Sequence, residues 1–229
     1  MTINLTKLQK NLKIKFTDEH ILQTALTHRS YLNENTSYKG LSNERLEFLG
    51  DAILQFLSSD FIYDQYDDYP EGELTNLRSK LVNTESLAEE ALRLKLGEYL
   101  LISKGEKEIA TSSIHILANT FEAVVGAIYI NIGLDECKKF VLKELLYKTD
   151  RIIQNGDLKD SKSLYQEYTQ EKHGITPTYK VLKDSGPDHD KTFTIGVYLN
   201  QDLIAKGEGS SKSRAQQDAA QKALEKEKK

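Results

Sequence analysis

Hydrophobic residues recur with helical period through the first two thirds of the chain and with strand period beyond it. In residues 43–66, Leu46, Leu49, Ile53, Phe56 and Leu57 fall on one side of a helix turning about 100° per residue. In residues 116–130, Leu117, Phe121, Val124, Val125 and Ile128 do the same. Similar spacing predicts helices over 18–26, 73–81, 85–94 and 134–154. Periodicity is lost around 152–160, where Asn155-Gly156 supplies a breaker. A first domain is therefore placed at 1–154, a linker at 155–158 and a second domain at 159–229.

Beyond the linker the texture changes. Residues 163–172 read as a helix offering Leu164, Tyr165 and Tyr168 for packing, and residues 178–182 are β-prone. Phe193, Ile195, Val197 and Leu199 then alternate with Thr194, Gly196 and Tyr198. Asn200-Gln201-Asp202 turns the chain into a further strand ending before Gly207. A last helix opens near Ser213 with Ala215, Ala219, Ala220, Ala223 and Leu224, and residues 225–229 are expected to be a frayed, solvated end. The expected fold class is an all-α N-terminal domain followed by a small α+β domain of order αβββα, a two-layer sandwich.

The polar faces of the two strongest helices carry the candidate chemistry. Glu44, Glu47 and Asp51 stack at i, i+3 and i+7 with no Lys or Arg on their stripe. Like charges one turn apart cost a few tenths of a kcal/mol per pair. A solvated acidic face is one reading; a site for a divalent cation such as Mg²⁺, which prefers hard oxygen ligands, is the other. On the second helix Asn119, Glu122 and Gly126 lie together on the polar side. Glycine inside a helix costs about 1 kcal/mol relative to alanine. Gly126 thus marks close approach of another backbone, a ligand or a partner, with helix-helix packing the simplest choice. Phe48 falls beside the acidic stripe, where it is exposed in a single chain unless something covers it.

With 229 residues, 38% hydrophobic and 29% charged, the chain can bury a core of one or two soluble domains. The first ten residues lack an apolar block with a cleavage site, and no stretch approaching 18 apolar residues is expected, so no membrane partner is assigned. Cys137, the lone cysteine, can form neither an internal disulfide nor a multi-thiolate metal site; it is expected to be buried, with no disulfide partner, in a reducing cytoplasmic setting. The net charge of −4 hides an uneven distribution. The N-terminal part is acidic, and from residue 159 onward the balance is near neutral, with basic residues grouped locally.

Several segments together resemble the ribonuclease III family. Asn43-Glu-Arg-Leu-Glu-Phe-Leu-Gly-Asp51 is similar to its signature, and Ile116-Leu-Ala-Asn-Thr-Phe-Glu-Ala-Val-Val-Gly-Ala-Ile128 to its second metal-binding helix. Ala25-Leu-Thr-His-Arg-Ser30, Tyr69-Pro-Glu-Gly-Glu-Leu-Thr-Asn-Leu-Arg-Ser79 and Leu81-Val-Asn83 continue the likeness in order. The resemblance implies a homodimeric, Mg²⁺-dependent endoribonuclease, with Mn²⁺ as a possible substitute. It would cut double-stranded RNA, including ribosomal and messenger RNA precursors, to 5′-phosphate and 3′-hydroxyl ends with short 3′ overhangs. By the same resemblance Glu47, Asp51, Asn119 and Glu122 are metal ligands, Asp51 and Glu122 weigh most in catalysis, Glu44 and Glu71 lie beside the scissile strand, and Phe48 enters the dimer interface. Many family members have Asp where this chain has Asn119; the neutral amide removes one negative charge and should weaken Mg²⁺ binding. A regulator that binds duplex RNA without cutting it is the alternative, if Asn119 disables the metal site. Residues 105–113 also lack the glycine and arginine richness common in relatives.

The second domain resembles a double-stranded RNA-binding domain through Gln166-Glu-Tyr-Thr-Gln170, Gly186-Pro-Asp-His-Asp-Lys-Thr-Phe193 and Gly207-Glu-Gly-Ser-Ser-Lys-Ser-Arg-Ala-Gln-Gln-Asp-Ala-Ala220. Lys212, Ser213 and Arg214 open a helix whose N-terminal amides favour an anion, which suits phosphates. Gln166 and Gln170, one turn apart, can meet 2′-hydroxyls and base edges in a shallow minor groove, and His189 can do so in the next one. Domains of this kind read A-form shape over about 16 base pairs.

Overall fold

The computed structural model describes residues 3–106, 112–154, 161–186 and 191–227, which belong to two compact units, Met1–Asn155 and Gly156–Lys229. The linker placed at 155–158 lies outside the described residues.

The first unit is helical: α1 (Leu5–Leu12), α2 (Glu19–Ala25), α3 (Arg29–Glu34), α4 (Glu44–Gln65), α5 (Glu71–Leu81), α6 (Thr84–Arg93), α7 (Ile114–Ile132), α8 (Leu134–Glu144) and α9 (Thr149–Gln154). Short 3₁₀ turns occupy Leu96–Tyr99 and Leu146–Lys148. Several helices open on side-chain caps: Asn4, Asp18, Asn83 and Ser113 each accept a first-turn amide. Gly133, at φ 100°, ends α7 and turns the chain directly into α8.

α7 is the central helix, packed most extensively against α4 and α6. Its Leu117, Phe121, Val124, Val125 and Ile128 are buried as the periodicity predicts. Against expectation, it is long and apolar enough by composition to cross a membrane, with a mean hydropathy of 1.2. Burial of most of its central residues inside the unit makes it a core helix. α4 departs in two residues: Phe56 is 54% exposed and Leu49 is only half-buried, whereas Leu46, Ile53, Leu54 and Leu57 form the buried side.

The single helix predicted over 134–154 is broken into α8, a 3₁₀ turn and α9. A buried ion network explains the break. Lys148, nearly inaccessible, reaches the buried Glu90 at 2.6 Å, Glu89 at 2.8 Å and the Ser86 carbonyl at 3.0 Å. Arg93 joins the same Glu90 to the buried Glu144, at 2.5 Å each. Each buried charge thus meets an opposite one, which burial requires. Turning Lys148 inward toward α6 costs the helix its regular turn.

The second unit runs α10 (Ser161–His173), β1 (Thr178–Ser185), β2 (Thr192–Leu199), β3 (Asp202–Gly209) and α11 (Lys212–Glu227). The strands form an antiparallel sheet in the order β1-β2-β3, with Val181 opposite Ile195 and Val197 opposite Ala205. Asn200 turns β2 into β3 in a left-handed conformation, φ 54°. Tyr165, Val197, Leu199, Ala205, Ala219, Ala220 and Ala223 form the core between sheet and helices. β3 extends past its predicted end to Gly209, because Gly207 and Gly209 let it press against α11; a Cβ on Gly209 would stand 2.7 Å from the Ala215 nitrogen. The end expected to fray is helical through Glu227, whose carboxylate takes Lys172 at 3.2 Å.

Candidate active site

α4 and α7 meet at a pair of glycines. A Cβ on Gly50 would overlap the main-chain carbonyl of Glu122 and stand 3.1 Å from the Gly126 nitrogen; one on Gly126 would overlap the carbonyl of Leu46 and stand 3.3 Å from the Gly50 nitrogen. Gly126 is therefore a residue of helix-helix packing, and Gly50 is its counterpart, a positioning residue missed among the acids around it. Its signal is the one read at Gly126: glycine in a helix interior, where it otherwise only destabilises.

This crossing groups four oxygen-bearing side chains. Glu47 and Asp51 flank Gly50 on α4, and Asn119 and Glu122 precede Gly126 on α7. Across the crossing, Asn119 is the polar neighbour that favours the charged form of the Glu47 carboxyl. Burial pushes the Glu47 carboxyl up, as do Glu44 and Asp51, while the neighbouring Asn119 amide pulls it down. Glu122 is more perturbed: burial, then Asp51 and Glu47, push it up to about 7. None of these causes is a cation.

Glu44 and Asp51 are more exposed. Arg29 contacts Glu44 at 3.3 Å and the Ser42 hydroxyl donates to it at 2.8 Å, so the cation absent from the stripe arrives from α3. Gln55 donates to Asp51 at 3.4 Å. Glu71 is not drawn into the group; it lies at the start of α5, accepts from the Thr75 hydroxyl at 3.0 Å, and is absent from the charges that perturb Glu47 and Glu122. Phe48 is 80% exposed and shares the outer surface of α4 with Phe56 and Tyr63. Cys137 is buried and unpaired, its thiol pushed up to about 12 by that burial.

Among the described residues, no three His, Cys, Asp or Glu side chains converge tightly enough to make a finished metal cage. A divalent cation fits by the chemistry of the donors instead. The set from α4 and α7 is all oxygen, three of its four members are carboxyls, and their mutual repulsion lacks a compensating charge.

In the second unit, Gln166 and Gln170 stand exposed on α10 and line a shallow depression with Ser163, Glu167 and Glu171. Gln170 accepts from the Thr176 hydroxyl at 3.1 Å. Lys212, Ser213 and Arg214 are exposed in the first turn of α11. The Ser211 hydroxyl accepts from the Arg214 amide at 3.2 Å, the Arg214 guanidinium donates to Ser210 at 3.1 Å, and Lys212 lies 5.9 Å from the Phe193 ring centroid. His189 lies outside the described residues.

An acidic helical site followed in the same chain by an αβββα module with a basic helix start defines a class of two-domain nucleic-acid enzymes. Residues 18–149 match the ribonuclease-III-like family model and residues 161–227 the double-stranded RNA binding motif. Ribonuclease 3 of Borreliella burgdorferi is 42% identical over 221 residues, covering 96% of this chain and 90% of that protein. Ribonuclease 3 of Syntrophobacter fumaroxidans is 44% identical over 227 residues, covering 96% and 93%. The nuclease domain of ribonuclease III from Campylobacter jejuni, solved in a study of flexibility in a region involved in dimer formation, is 36% identical; the match covers 61% of this chain and 94% of that one at a TM-score of 0.57. The chain belongs to the ribonuclease III family, and is an endoribonuclease whose helical nuclease domain is followed by a double-stranded RNA-binding domain.

Proposed function

We propose that this endoribonuclease hydrolyses duplex RNA in a Mg²⁺-dependent reaction, Mn²⁺ serving as a substitute. The observation that carries the reading is the carboxyl of Glu122, pushed up to about 7 beside Asp51 and Glu47 in a half-buried, all-oxygen site. Glu47, Asp51, the carbonyl oxygen of Asn119 and Glu122 would hold the ion. When bound, it supplies the charge that offsets the phosphodiester and acidifies a water. Hydrolysis would then join a water oxygen to phosphorus, break the P–O3′ bond and pass one of the water's protons to the leaving oxygen, giving 5′-phosphate and 3′-hydroxyl ends.

Glu44, tied to Arg29, stands at the rim, and together with Glu71 it would carry a second cation or orient the attacking water. Lys212, Ser213 and Arg214 hold backbone phosphates, while Gln166, Gln170 and His189 read 2′-hydroxyls and base edges. Phe48, Phe56 and Tyr63 give α4 an exposed apolar stripe, 80%, 54% and 73% accessible, which suits a second copy of the chain. Two sites in one dimer would each cut one strand and leave short 3′ overhangs. Substrates of this kind are the duplex segments of ribosomal and messenger RNA precursors, met in the cytoplasm.

The test is a long RNA duplex incubated with the full chain and Mg²⁺. Short products with 3′ overhangs are expected, and Glu122→Gln abolishes them. Absence of products under both Mg²⁺ and Mn²⁺ would replace this reading with a regulator that only binds.

A further inference from the structure

The segment Ala25-Leu-Thr-His-Arg-Ser30 takes no part in the carboxylate group, yet it lies between the starts of the two helices that build it. Toward α4, the buried Thr27 accepts the Asn43 amide on its carbonyl at 2.8 Å, and Arg29 reaches Glu44 at 3.3 Å. Toward α7, the His28 amide donates to the Leu101 carbonyl and the Leu101 amide to the Leu26 carbonyl, each at 2.8 Å. The Ser30 hydroxyl accepts the Ser103 amide at 3.2 Å. Leu100 and Ile102, on either side of Leu101, pack against Ile116 in the first turn of α7, one turn before Asn119.

The side chains exceed what the start of α3 requires. His28 Nδ1 accepts the Ser30 amide at 3.3 Å, a capping task that serine or aspartate performs with fewer atoms. The imidazole also lies 2.9 Å from the Ser30 hydroxyl and 3.5 Å from Glu106. Glu106 accepts from the Ser103 hydroxyl at 3.2 Å, and its carboxyl is held below the usual range, first of all by the Ser30 hydroxyl. Ser30 therefore ties α3 to Ser103 directly, and His28 and Ser103 carry the connection on to Glu106.

A mechanical need explains this investment. The Gly50–Gly126 crossing fixes where α4 and α7 touch and is the natural pivot of the pair, so the angle between them is set by contacts away from it. Asn119 stands seven residues from Gly126, roughly 10 Å along the axis, so a tilt of about 6° carries it about 1 Å from Glu47. A misplacement of that size can cost a reaction on the order of a hundredfold. A second point of attachment beyond the crossing removes the pivot.

We propose that Thr27, His28, Arg29 and Ser30 are positioning residues for hydrolysis, a clamp that fixes the first turn of α4 against the first turn of α7 and thereby sets Glu47 against Asn119 and Glu122. The proposal rests on the cleavage reading above. Its test uses the full chain, a duplex RNA with Mg²⁺, and hydrogen exchange of the metal-free protein. Ser30→Ala should lower kcat by about tenfold with KM for duplex changed by less than about twofold, the split that misplacement gives and lost binding does not. Exchange should quicken over residues 114–122 and stay unchanged in α8, and Ser30→Thr, which keeps the hydroxyl, should restore both. Glu106→Ala, at a partly exposed residue whose loss does not threaten folding, should show the same split in weaker form. Wild-type kcat and exchange in both alanine variants would overturn the clamp, as would faster exchange spread evenly over the nuclease domain. If the wild type itself cuts no duplex, the cleavage reading fails, and the local exchange pattern still decides whether the clamp orders α7.

Discussion

Gly50 lies so close to Glu122 that a methyl group at Gly50 would occupy the space of the Glu122 main-chain carbonyl oxygen. Backbone cannot yield as a flexible side chain can, so Gly50→Ala must part α4 from α7. The expected cost is about 2 kcal/mol or more in stability, and cleavage should fall on the order of a hundredfold. Gly72 is the control: it sits in α5 with nothing within 4 Å of a Cβ. Gly72→Ala should keep full activity and hold or raise stability by about 0.5 kcal/mol. Thermal unfolding and single-turnover cleavage of the two variants check both expectations.

The Glu122 carboxyl titrates at about 7 in the folded, metal-free protein, against an ordinary value of 4.5. Between those two values the folded state holds a proton that the unfolded chain has released. Stability therefore falls as pH rises from about 4.5 to about 7, and stays low above that. Glu122→Gln carries no such charge, so in chelator it should match the wild type near pH 4.5 and exceed it at pH 8. After discounting for solvent screening, the gain is on the order of 1–2 kcal/mol. The same variant should cut no RNA, and Mg²⁺ should raise the Tm of the wild type alone. A wild-type Tm that is flat across this pH range would refute the assignment.

Asn119→Asp tests the departure from the family pattern. The substitution adds a negative charge beside Glu47 and removes the amide that favours the charged form of that carboxyl. Without metal, the variant should lose Tm above pH 6; with metal, it should reach half-maximal cleavage at a lower Mg²⁺ concentration. An unchanged metal requirement would mean that Asn119 is not a ligand.

Much of this was legible in the sequence where periodicity runs long. The stripes of α4 and α7 and the αβββα order follow from spacing, whereas the grouping of Glu47, Asp51, Asn119 and Glu122 came from the family resemblance. Phe56 marks a limit: hydrophobicity places it on an apolar face, yet cannot tell a face turned to the core from one turned to a partner. Leu5, Leu8 and Leu12 carry helical spacing, but three positions in an eight-residue helix are too few to separate α1 from chance. The break between α8 and α9 was illegible because its cause, the pairing of Lys148 with Glu89 and Glu90, lies some sixty residues away. Glu227, held by Lys172, is the same kind of case.

Phe48→Glu addresses assembly. Phe48 is the most exposed of the three large apolar side chains along α4, so placing a charge there costs the single chain little. In a two-fold pair the same substitution acts twice, burying two carboxylates without partners. Sedimentation should show a monomer with near wild-type Tm at low concentration, and products with short 3′ overhangs should disappear. A variant that still sediments as a dimer would remove Phe48 from the interface.

Lys212 and Arg214 separate phosphate contact from groove reading. Each phosphate contact releases counterions, so the slope of log affinity against log salt should flatten by about 1 for each cation removed. Lys212→Ala with Arg214→Ala, in the Glu122→Gln background so that the duplex survives, should therefore weaken binding most at low salt and flatten the slope by about 2. Gln166→Ala carries no charge change; it should weaken binding equally at all salt concentrations and reduce the preference for an RNA duplex over a DNA duplex, because what it loses is contact with 2′-hydroxyls. Competition assays across a salt series distinguish the two effects. If the double variant keeps the wild-type slope, the first turn of α11 does not hold phosphates, and the RNA-binding surface lies elsewhere on the second domain.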